Sequence, residues 1–370
     1  MEFIDLHEQY NRLKEKIDKE IRGVIDSTHF ISGEKVKELE NVLANYVGVK
    51  HCLTCANGTD ALTLAMRALN VGEGDAVFVA DYTYFASAEV IALEKATPIF
   101  VDVNETFNMD TNSLQDAIEA VIKEGKLKPK AIIVVDLFGQ PANYPIIKEL
   151  ANKYKLKIVE DGAQGFGGSI NGKIACSFGD ISTTSFFPVK PLGCYGDGGA
   201  VFTDNDEYYE LMASLAVHGK GSDKYDNVRI GYNSRLDTLQ AAILLPKFEA
   251  LKQYELDCRD AIAERYSKAL SKRFIVPTVL SGYRSSWAQF TLLAKNEKDR
   301  EETMNKLKEF GIPTMIYYRV PMHCEKAFKD VKLYTSLNNS EDYMKRAFSI
   351  PMHPYLDKET QDYIIEALLK

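Results

Sequence analysis

No stretch of the 370-residue sequence is apolar over the roughly 20 residues that a membrane-spanning helix needs, so we expect no membrane segment. The chain also starts without the basic segment and apolar core of a secretory signal, and we expect it in the reducing cytoplasm. Basic residues are outnumbered, since 45 Lys and Arg stand against 53 Asp and Glu, a formal net charge of −8. A nucleic-acid partner, which would need a basic surface, is therefore not expected.

Cysteine and histidine are also scarce, with six residues of each type. Cys52 and Cys55 form a C-x-x-C pair, but this pair lies in an apolar run typical of a buried strand. No second pair completes a zinc site, so we expect six thiols and no bound metal. His218 and His353 belong to no cluster with metal-ligand spacing, and we expect structural roles for both.

Short apolar runs typical of buried strands alternate with helical patterns in the first half of the chain. The runs lie at 51–55, 76–80, 97–103, 130–136 and 156–160, and the helical patterns lie near 59–69, 85–94, 111–124 and 143–154. This alternation predicts an α/β fold with a largely parallel sheet and right-handed crossovers. Two further runs, at 181–187 and 199–203, have no room for a helix between them, so the sheet should be mixed.

The remaining elements predict a second, smaller unit. A chain of this length exceeds the roughly 250–300 residues at which one core stops growing. We predict a helix over 6–25, a loop at Ser32 and Gly33, and helices over 206–217, 236–270 and 299–310, with strand-like segments at 290–294 and 314–318. The predicted division is a large domain over 1–245 and a smaller α+β domain over 246–370, packed against each other.

Asn57-Gly58-Thr59 follows the first apolar run and opens a helical pattern. Free backbone N–H groups and the positive end of a helix dipole at such a position favour a bound phosphate. A simple glycine turn with Thr59 as the helix cap explains the same residues. Farther along the chain, Asp161 ends an apolar run at the sheet edge where open α/β sheets bind ligands. It is a metal ligand, a general base, a partner for a ring nitrogen or a solvated strand end.

Lys190 follows another apolar run and stands between Pro188 and Pro191. Most lysines are surface charges. The stiff backbone and apolar neighbours of Lys190 favour desolvation instead, which lowers the pKa of a lysine and frees its amine to bond with an aldehyde. Phosphate loop, carboxylate and lysine together match the three functional groups of pyridoxal phosphate (PLP), and Tyr84 offers a flat face for its ring.

The sequence resembles the aspartate-aminotransferase superfamily of fold type I PLP enzymes and, within it, the sugar aminotransferases of the DegT/DnrJ/EryC1/StrS family. The matching segments are Phe3–Leu6, Asn57–Leu62, Thr83–Ser87, Glu160–Gln164, Ser185–Lys190, Asn233–Asp237 and Ile350–Pro354. They span nearly the whole chain. The resemblance implies an aspartate-aminotransferase-like fold, a homodimer with shared active sites, and transfer of an amino group from L-glutamate to a nucleotide sugar in two half-reactions.

The resemblance also implies a role for each matching residue. Lys190 carries the cofactor and moves the proton, Asp161 faces the ring nitrogen, Gln164 contacts the ring hydroxyl, Tyr84 stacks on the ring, Gly58, Thr59 and Ser185 hold the phosphate, and Asn233 reaches the phosphate from the neighbouring subunit.

The segments 185–200 and 233–245 resemble the subgroup that aminates C3 of UDP-2-acetamido-2-deoxy-3-oxo-glucuronate in surface polysaccharide (O-antigen) biosynthesis. In that subgroup Arg235 would grip carboxylates, and Tyr317 and Tyr318 would lie near the sugar. Lys220 and Arg229 are further cations that we expect to offset substrate charge.

Two residues depart from the subgroup: Tyr317 stands where it has histidine, and Val217 stands where many relatives have arginine. These departures keep a dTDP-3-oxo-6-deoxyhexose open as the acceptor. A non-catalytic PLP-binding regulatory protein is a further alternative, disfavoured because Lys190, Asp161 and Gln164 are all present.

Overall fold

The computed structural model describes residues 1–223 and 225–370, and a seven-stranded sheet lies at its centre. The strands have the spatial order β1 (His51–Cys55), β9 (Gly199–Thr203), β8 (Ile181–Ser185), β5 (Lys157–Asp161), β4 (Lys128–Val135), β2 (Asp75–Ala80) and β3 (Thr97–Val101). The strands from β8 to β3 run parallel, while β9 pairs antiparallel with β8 and β1. The predicted mixed, mostly parallel sheet is confirmed.

Helices connect these strands, as the alternating pattern predicts. They are α3 (Gly58–Ala68), α4 (Ala86–Leu93), α5 (Thr111–Glu124) and α6 (Tyr144–Tyr154), and α7 (Asp206–Leu215) follows β9, the last strand of this sheet along the chain. Residues 131–135 of β4 are buried, as expected for a parallel strand enclosed on both faces. Asn57, Asp110 and Asn205 each accept a backbone N–H at a helix start, which fixes where α3, α5 and α7 begin.

Two helices precede the sheet. The first, α1 (Leu6–Ser27), buries Leu13 and Ile17 against Ile243 and Ala250, and its apolar spacing predicts it correctly. The second, α2 (Glu34–Val47), packs against β1 and buries Leu39 and Leu43. The helix α2 is not among the predicted elements.

The C-terminal part begins within a long helical segment. This segment comprises α8 (Thr238–Ala250), a π-helical turn (Leu251–Glu255) and α9 (Leu256–Leu270). After it come β10 (Tyr283–Arg284), β11 (Phe290–Leu293), α10 (Glu297–Glu309), α11 (Asn338–Arg346), β12 (Ala347–Ile350) and α12 (Lys358–Leu369). The strand β10 pairs with β6 (Ser169–Ile170), which pairs with β7 (Lys173–Ile174). A separate core over residues 262–368 packs around the β11–β12 pair. The domain division at 245/246, inside the long helical segment, stays a prediction.

The predicted strand at 314–318 is wrong. Only Met315 makes an isolated bridge, to Ser349. The backbone of the following residues pairs with a side chain instead, since the Tyr82 hydroxyl donates to the Tyr317 carbonyl at 2.6 Å and accepts the Tyr318 N–H at 3.0 Å. A tertiary contact from Tyr82, in the loop after β2, thus takes the place of a strand ladder. The elements α11, β12 and α12 also have no counterpart among the predicted elements.

The cysteines are unpaired, and Cys52 and Cys55 are buried in β1. Among the described residues, no helix combines the length and apolar character needed to cross a bilayer.

Candidate active site

The carboxyl ends of β2, β5 and β8 open into one cavity of about 310 Å³. Most of the predicted site residues line it: Gly58, Thr59, Tyr84, Asp161, Gln164, Ser185, Lys190, Tyr317 and Tyr318. Cavities of this size are typical of small-molecule sites. Since Tyr317 and Tyr318 come from the C-terminal part, both parts of the chain build the cavity.

The start of α3 forms one wall of the cavity. The Asn57 side chain accepts the Asp60 N–H at 2.8 Å, while the N–H groups of Gly58 and Thr59 have no partner among the described residues. A side chain at position 58 would meet the Cβ of Ser185 at 2.8 Å, so only glycine fits there. The result is a cradle of free N–H groups and hydroxyls that suits a phosphate.

Asp161, the last residue of β5, is buried at the base of the cavity. Its Oδ2 accepts a hydrogen bond from the Ser87 hydroxyl at 2.8 Å, and its Oδ1 accepts the Ala163 N–H at 3.3 Å. Burial raises the pKa of Asp161, while the Ser87 hydrogen bond and the charge of Lys190 lower it. Ser87 is not among the predicted site residues, because its position three residues after Tyr84 in a helical pattern carries no signal for this contact.

The neighbouring carboxylate, Glu160, points away from the cavity. It is buried and accepts the N–H groups of Cys176 and Phe178 and the Ser182 hydroxyl. Since side chains alternate along a strand, only one of the two adjacent carboxylates is available to a ligand. That residue is Asp161.

Lys190 follows β8 in a tight turn, in which its N–H donates to the Phe187 carbonyl at 2.8 Å. Its ammonium has no hydrogen bond or ion pair within the described residues. Burial lowers the pKa of Lys190, and the nearby Asp161 charge partly offsets this effect. Lys190 therefore offers an unpaired amine of reduced basicity inside the cavity.

Gln164 is held on both sides. Its Oε1 accepts the Phe138 N–H at 2.7 Å, and its Nε2 donates to the Tyr318 hydroxyl at 3.0 Å. Burial raises the pKa of Tyr318. The Tyr84 ring lies 6.1 Å from that of Tyr318, and its side chain is 57% exposed, so it presents an open face.

Two predicted residues, Asn233 and Arg235, do not line this cavity. Both are exposed, and the Arg235 guanidinium donates to Asn233 Oδ1 at 2.7 Å. Arg235 lines a separate surface depression with Lys220 and Arg229. The cations expected near the substrate therefore lie outside the Lys190 cavity of their own chain.

Val217 and the two singled-out histidines also lie elsewhere. Val217 pairs with Asn233 in an isolated bridge. Val217 and the adjacent His218 line the surface depression that also contains Arg235. His353 is buried outside the cavity, and burial lowers its pKa to about 4.

The cavity matches PLP group by group. An unpaired amine can bond with the aldehyde, a buried carboxylate can face the ring nitrogen, and a glycine-opened helix start can receive the phosphate. The residues present fit this cofactor.

The chain matches the DegT/DnrJ/EryC1/StrS aminotransferase family over residues 11–369. The UDP-2-acetamido-2-deoxy-3-oxo-D-glucuronate aminotransferase of Pseudomonas aeruginosa is 43% identical over 370 residues, which cover 100% of this chain and 99% of that protein.

Solved structures give the same result. A DegT/DnrJ/EryC1/StrS aminotransferase from Brucella abortus has a TM-score of 0.97 and 45% identity, with 100% of this chain and 98% of that chain covered. The PLP form of a sugar aminotransferase from Streptococcus pneumoniae has a TM-score of 0.88 and 27% identity, with 96% and 95% covered. On these matches, the chain belongs to the DegT/DnrJ/EryC1/StrS aminotransferase family.

Proposed function

We propose that the chain is a PLP-dependent aminotransferase that transfers the amino group of L-glutamate to C3 of UDP-2-acetamido-2-deoxy-3-oxo-glucuronate. The observation that carries the reaction type is the unpaired amine of Lys190, in the same cavity as the buried carboxylate of Asp161. Burial lowers the pKa of Lys190 and so favours its neutral amine, the form that acts as nucleophile and base.

Each cavity residue has a role in holding the cofactor. Gly58, Thr59 and Ser185 hold the phosphate, and Tyr84 covers the ring. The Gln164 amide, fixed by Phe138 and Tyr318, contacts the ring hydroxyl.

Two residues act on protons. Asp161, whose charged form is favoured by the Ser87 hydrogen bond and by the charge of Lys190, would keep the ring nitrogen protonated. PLP, when bound, withdraws electrons from the carbon that carries the amino group. The Lys190 amine acts as a general base and takes the proton from that carbon. The ammonium so formed then acts as a general acid and returns the proton to the carbon on the other side of the transferred nitrogen.

The acceptor is proposed from the relatives. The P. aeruginosa enzyme, 43% identical over the full length, is named for the UDP-linked 3-oxo-glucuronate. Tyr317, in place of the subgroup's histidine, lies in the cavity wall and favours a second candidate, a dTDP-3-oxo-6-deoxyhexose. The latter sugar lacks the carboxylate.

The working unit is proposed to be a homodimer in which Asn233 and Arg235 of each subunit complete the cavity of the other. Support comes from their exposure and from their position outside their own cavity. Exposed apolar side chains on the same segment, Val228 and Ile230, suit burial in a subunit interface.

The test uses a panel of UDP- and dTDP-linked 3-oxo and 4-oxo sugars with glutamate, and identifies the products by mass spectrometry and NMR. Amination of the UDP-3-oxo-uronate at C3, with the highest kcat/KM of the panel, is expected. Equal or better use of the dTDP-3-oxo-6-deoxyhexose would replace the first acceptor with the second. Failure of glutamate alone to convert the bound cofactor to its amine form would contradict the reaction type.

A further inference from the structure

Gln289 lines the same cavity as Lys190 but belongs to no motif of the sequence analysis. It immediately precedes β11 in the C-terminal part, and its N–H donates to the Phe138 carbonyl at 3.4 Å. The side chain is only 6% exposed. Gln289 is thus held by its backbone against the residue that also holds Gln164.

The amide group of Gln289 is unpaired. Its Oε1 is buried with no hydrogen-bond partner, and its Nε2 makes no hydrogen bond to any of the described residues. A buried polar group without a partner is unfavourable, because it has lost its bonds to water. Such groups are rare in native structures, and each one calls for a ligand or a water that satisfies it.

Two nearby glutamines provide a contrast. Gln164 has both amide atoms bonded, to Phe138 and Tyr318. Gln140 is also 6% exposed, and its Nε2 donates to the Thr278 carbonyl at 3.1 Å while its Oε1 accepts the Leu280 N–H at 2.9 Å. Gln140 does not line the cavity. Of these three buried amides, only that of Gln289 lacks hydrogen-bond partners, and Gln289 lines the cavity but has no role in holding the cofactor.

The chemistry of the amide narrows the ligand. A carboxamide offers donors and an acceptor without charge, and exchanging its oxygen and nitrogen leaves this true. The carboxylates of glutamate offer acceptors alone and would leave the Gln289 oxygen unpaired. A hydroxyl or a secondary amide both donates and accepts, so it can pair with whichever of the two amide atoms faces the cavity.

We infer that Gln289 binds a neutral polar substituent of the acceptor sugar, a hydroxyl or an acetamide, and so helps to select the sugar. The inference rests on the proposed function, in which Gln164 contacts the hydroxyl of the cofactor ring and Gln289 is free to contact the sugar.

The test separates the two half-reactions. Gln289→Leu and the more flexible Gln289→Met remove the amide at similar size, and Gln140→Leu is the matched control. Conversion of the cofactor by glutamate is followed by its absorbance, and the second half-reaction is followed with the UDP-3-oxo-uronate. We expect the Gln289 variants to lower kcat/KM for the sugar by roughly threefold to tenfold, as for one lost hydrogen bond. The loss in the glutamate half-reaction should be much smaller.

Thermal unfolding supplies a readout independent of activity. Gln140→Leu breaks two internal hydrogen bonds and should lower the melting temperature, whereas Gln289→Leu breaks none and should leave it unchanged or raise it. Equal losses in both half-reactions, or no loss with the sugar, would overturn the inference. A lower melting temperature for both Gln289 variants with unchanged kinetics would also overturn it, since the amide would then be structural.

Binding of stable sugars identifies the group contacted. If Gln289→Leu weakens UDP-N-acetylglucosamine but not UDP-glucose, the contacted group is the acetamide, and weakening of both indicates a hydroxyl. Weakening of neither overturns the inference. If glutamate does not convert the cofactor of the wild-type enzyme to its amine form, the proposed function itself is contradicted, whatever the Gln289 variants do.

Discussion

Ser87 donates a hydrogen bond from its hydroxyl to Oδ2 of Asp161 at 2.8 Å, and both side chains are buried. Thr83 Oγ1 lies 3.4 Å from Ser87 Oγ. Burial raises the pKa of Asp161, and the bond from Ser87 is the largest effect that lowers it. Ser87 thus favours the charged form of the carboxylate that the proposed chemistry needs.

Ser87→Ala should therefore lower kcat by about tenfold or more, since a hydrogen bond to a charged group contributes roughly 1.5–3 kcal/mol. Without it the pKa of Asp161 rises, so the acidic limb of the kcat–pH profile should move to higher pH. Ser87→Thr keeps a hydroxyl and should restore the profile. An unshifted profile in Ser87→Ala would show that Ser87 only fills space.

Asp161→Asn should reduce turnover far more than cofactor occupancy. The phosphate cradle, the Tyr84 ring and Lys190 would still hold PLP, but a neutral amide cannot keep the ring nitrogen protonated. Occupancy is measured by absorbance after gel filtration, and turnover with saturating glutamate. Equal losses of the two would mean that Asp161 serves cofactor binding alone.

Mixed dimers test the shared site. Lys190→Ala and Asn233→Ala subunits are each expected to be inactive, but a mixed dimer places both lesions in one site and leaves the other intact. Co-expression of the two should restore about one quarter of wild-type activity if subunits pair at random. No activity from mixed dimers verified by two different tags would contradict the exchange of Asn233.

His353 should make stability depend on pH. The pKa of His353 is about 4 in the folded chain because of burial, against an ordinary 6.5. The unfolded chain therefore binds an extra proton between these values, so stability is lost as pH falls from above 6.5 towards 4, by at most roughly 3 kcal/mol. Urea unfolding at pH 7.5 and pH 5 should show a larger loss for the wild type than for His353→Asn. Equal losses would mean that His353 is protonated in the folded protein.

The sequence predicted the central sheet well because its strands are buried along their whole length. Residues 131–135 form an unbroken apolar run, and such runs separated by helical patterns permit few other arrangements. The helix α2 was missed, although Leu39 and Leu43 follow helical spacing. The strand predicted at 314–318 was wrong, because the backbone of Tyr317 and Tyr318 pairs with the hydroxyl of Tyr82, which is distant in sequence.

The site shows the same division. The placement of Lys190 and Asp161 in one cavity was predictable because each polar residue follows an apolar run at the sheet edge where ligands bind. Ser87 and Gln289 were not, because their importance depends on which atoms are paired in the folded chain. Similarly, no local sequence pattern indicates that Arg235 lies outside the Lys190 cavity of the same chain.

Lys190 is the residue that we expect to hold the cofactor. The chain offers a demanding comparison in Lys247, which is 2% exposed, has no hydrogen-bond partner among the described residues and has its pKa lowered to about 8 by burial. Its ammonium lies 4.8 Å from the Tyr195 ring and does not line the cavity.

Reduction of the PLP-loaded enzyme with borohydride fixes the cofactor to whichever amine bears it, and peptide mass spectrometry then locates it. We expect the added phosphopyridoxyl mass on the peptide that contains Lys190, and its loss after prior incubation with glutamate. The mass on Lys247 or another lysine, or on none, would contradict the account.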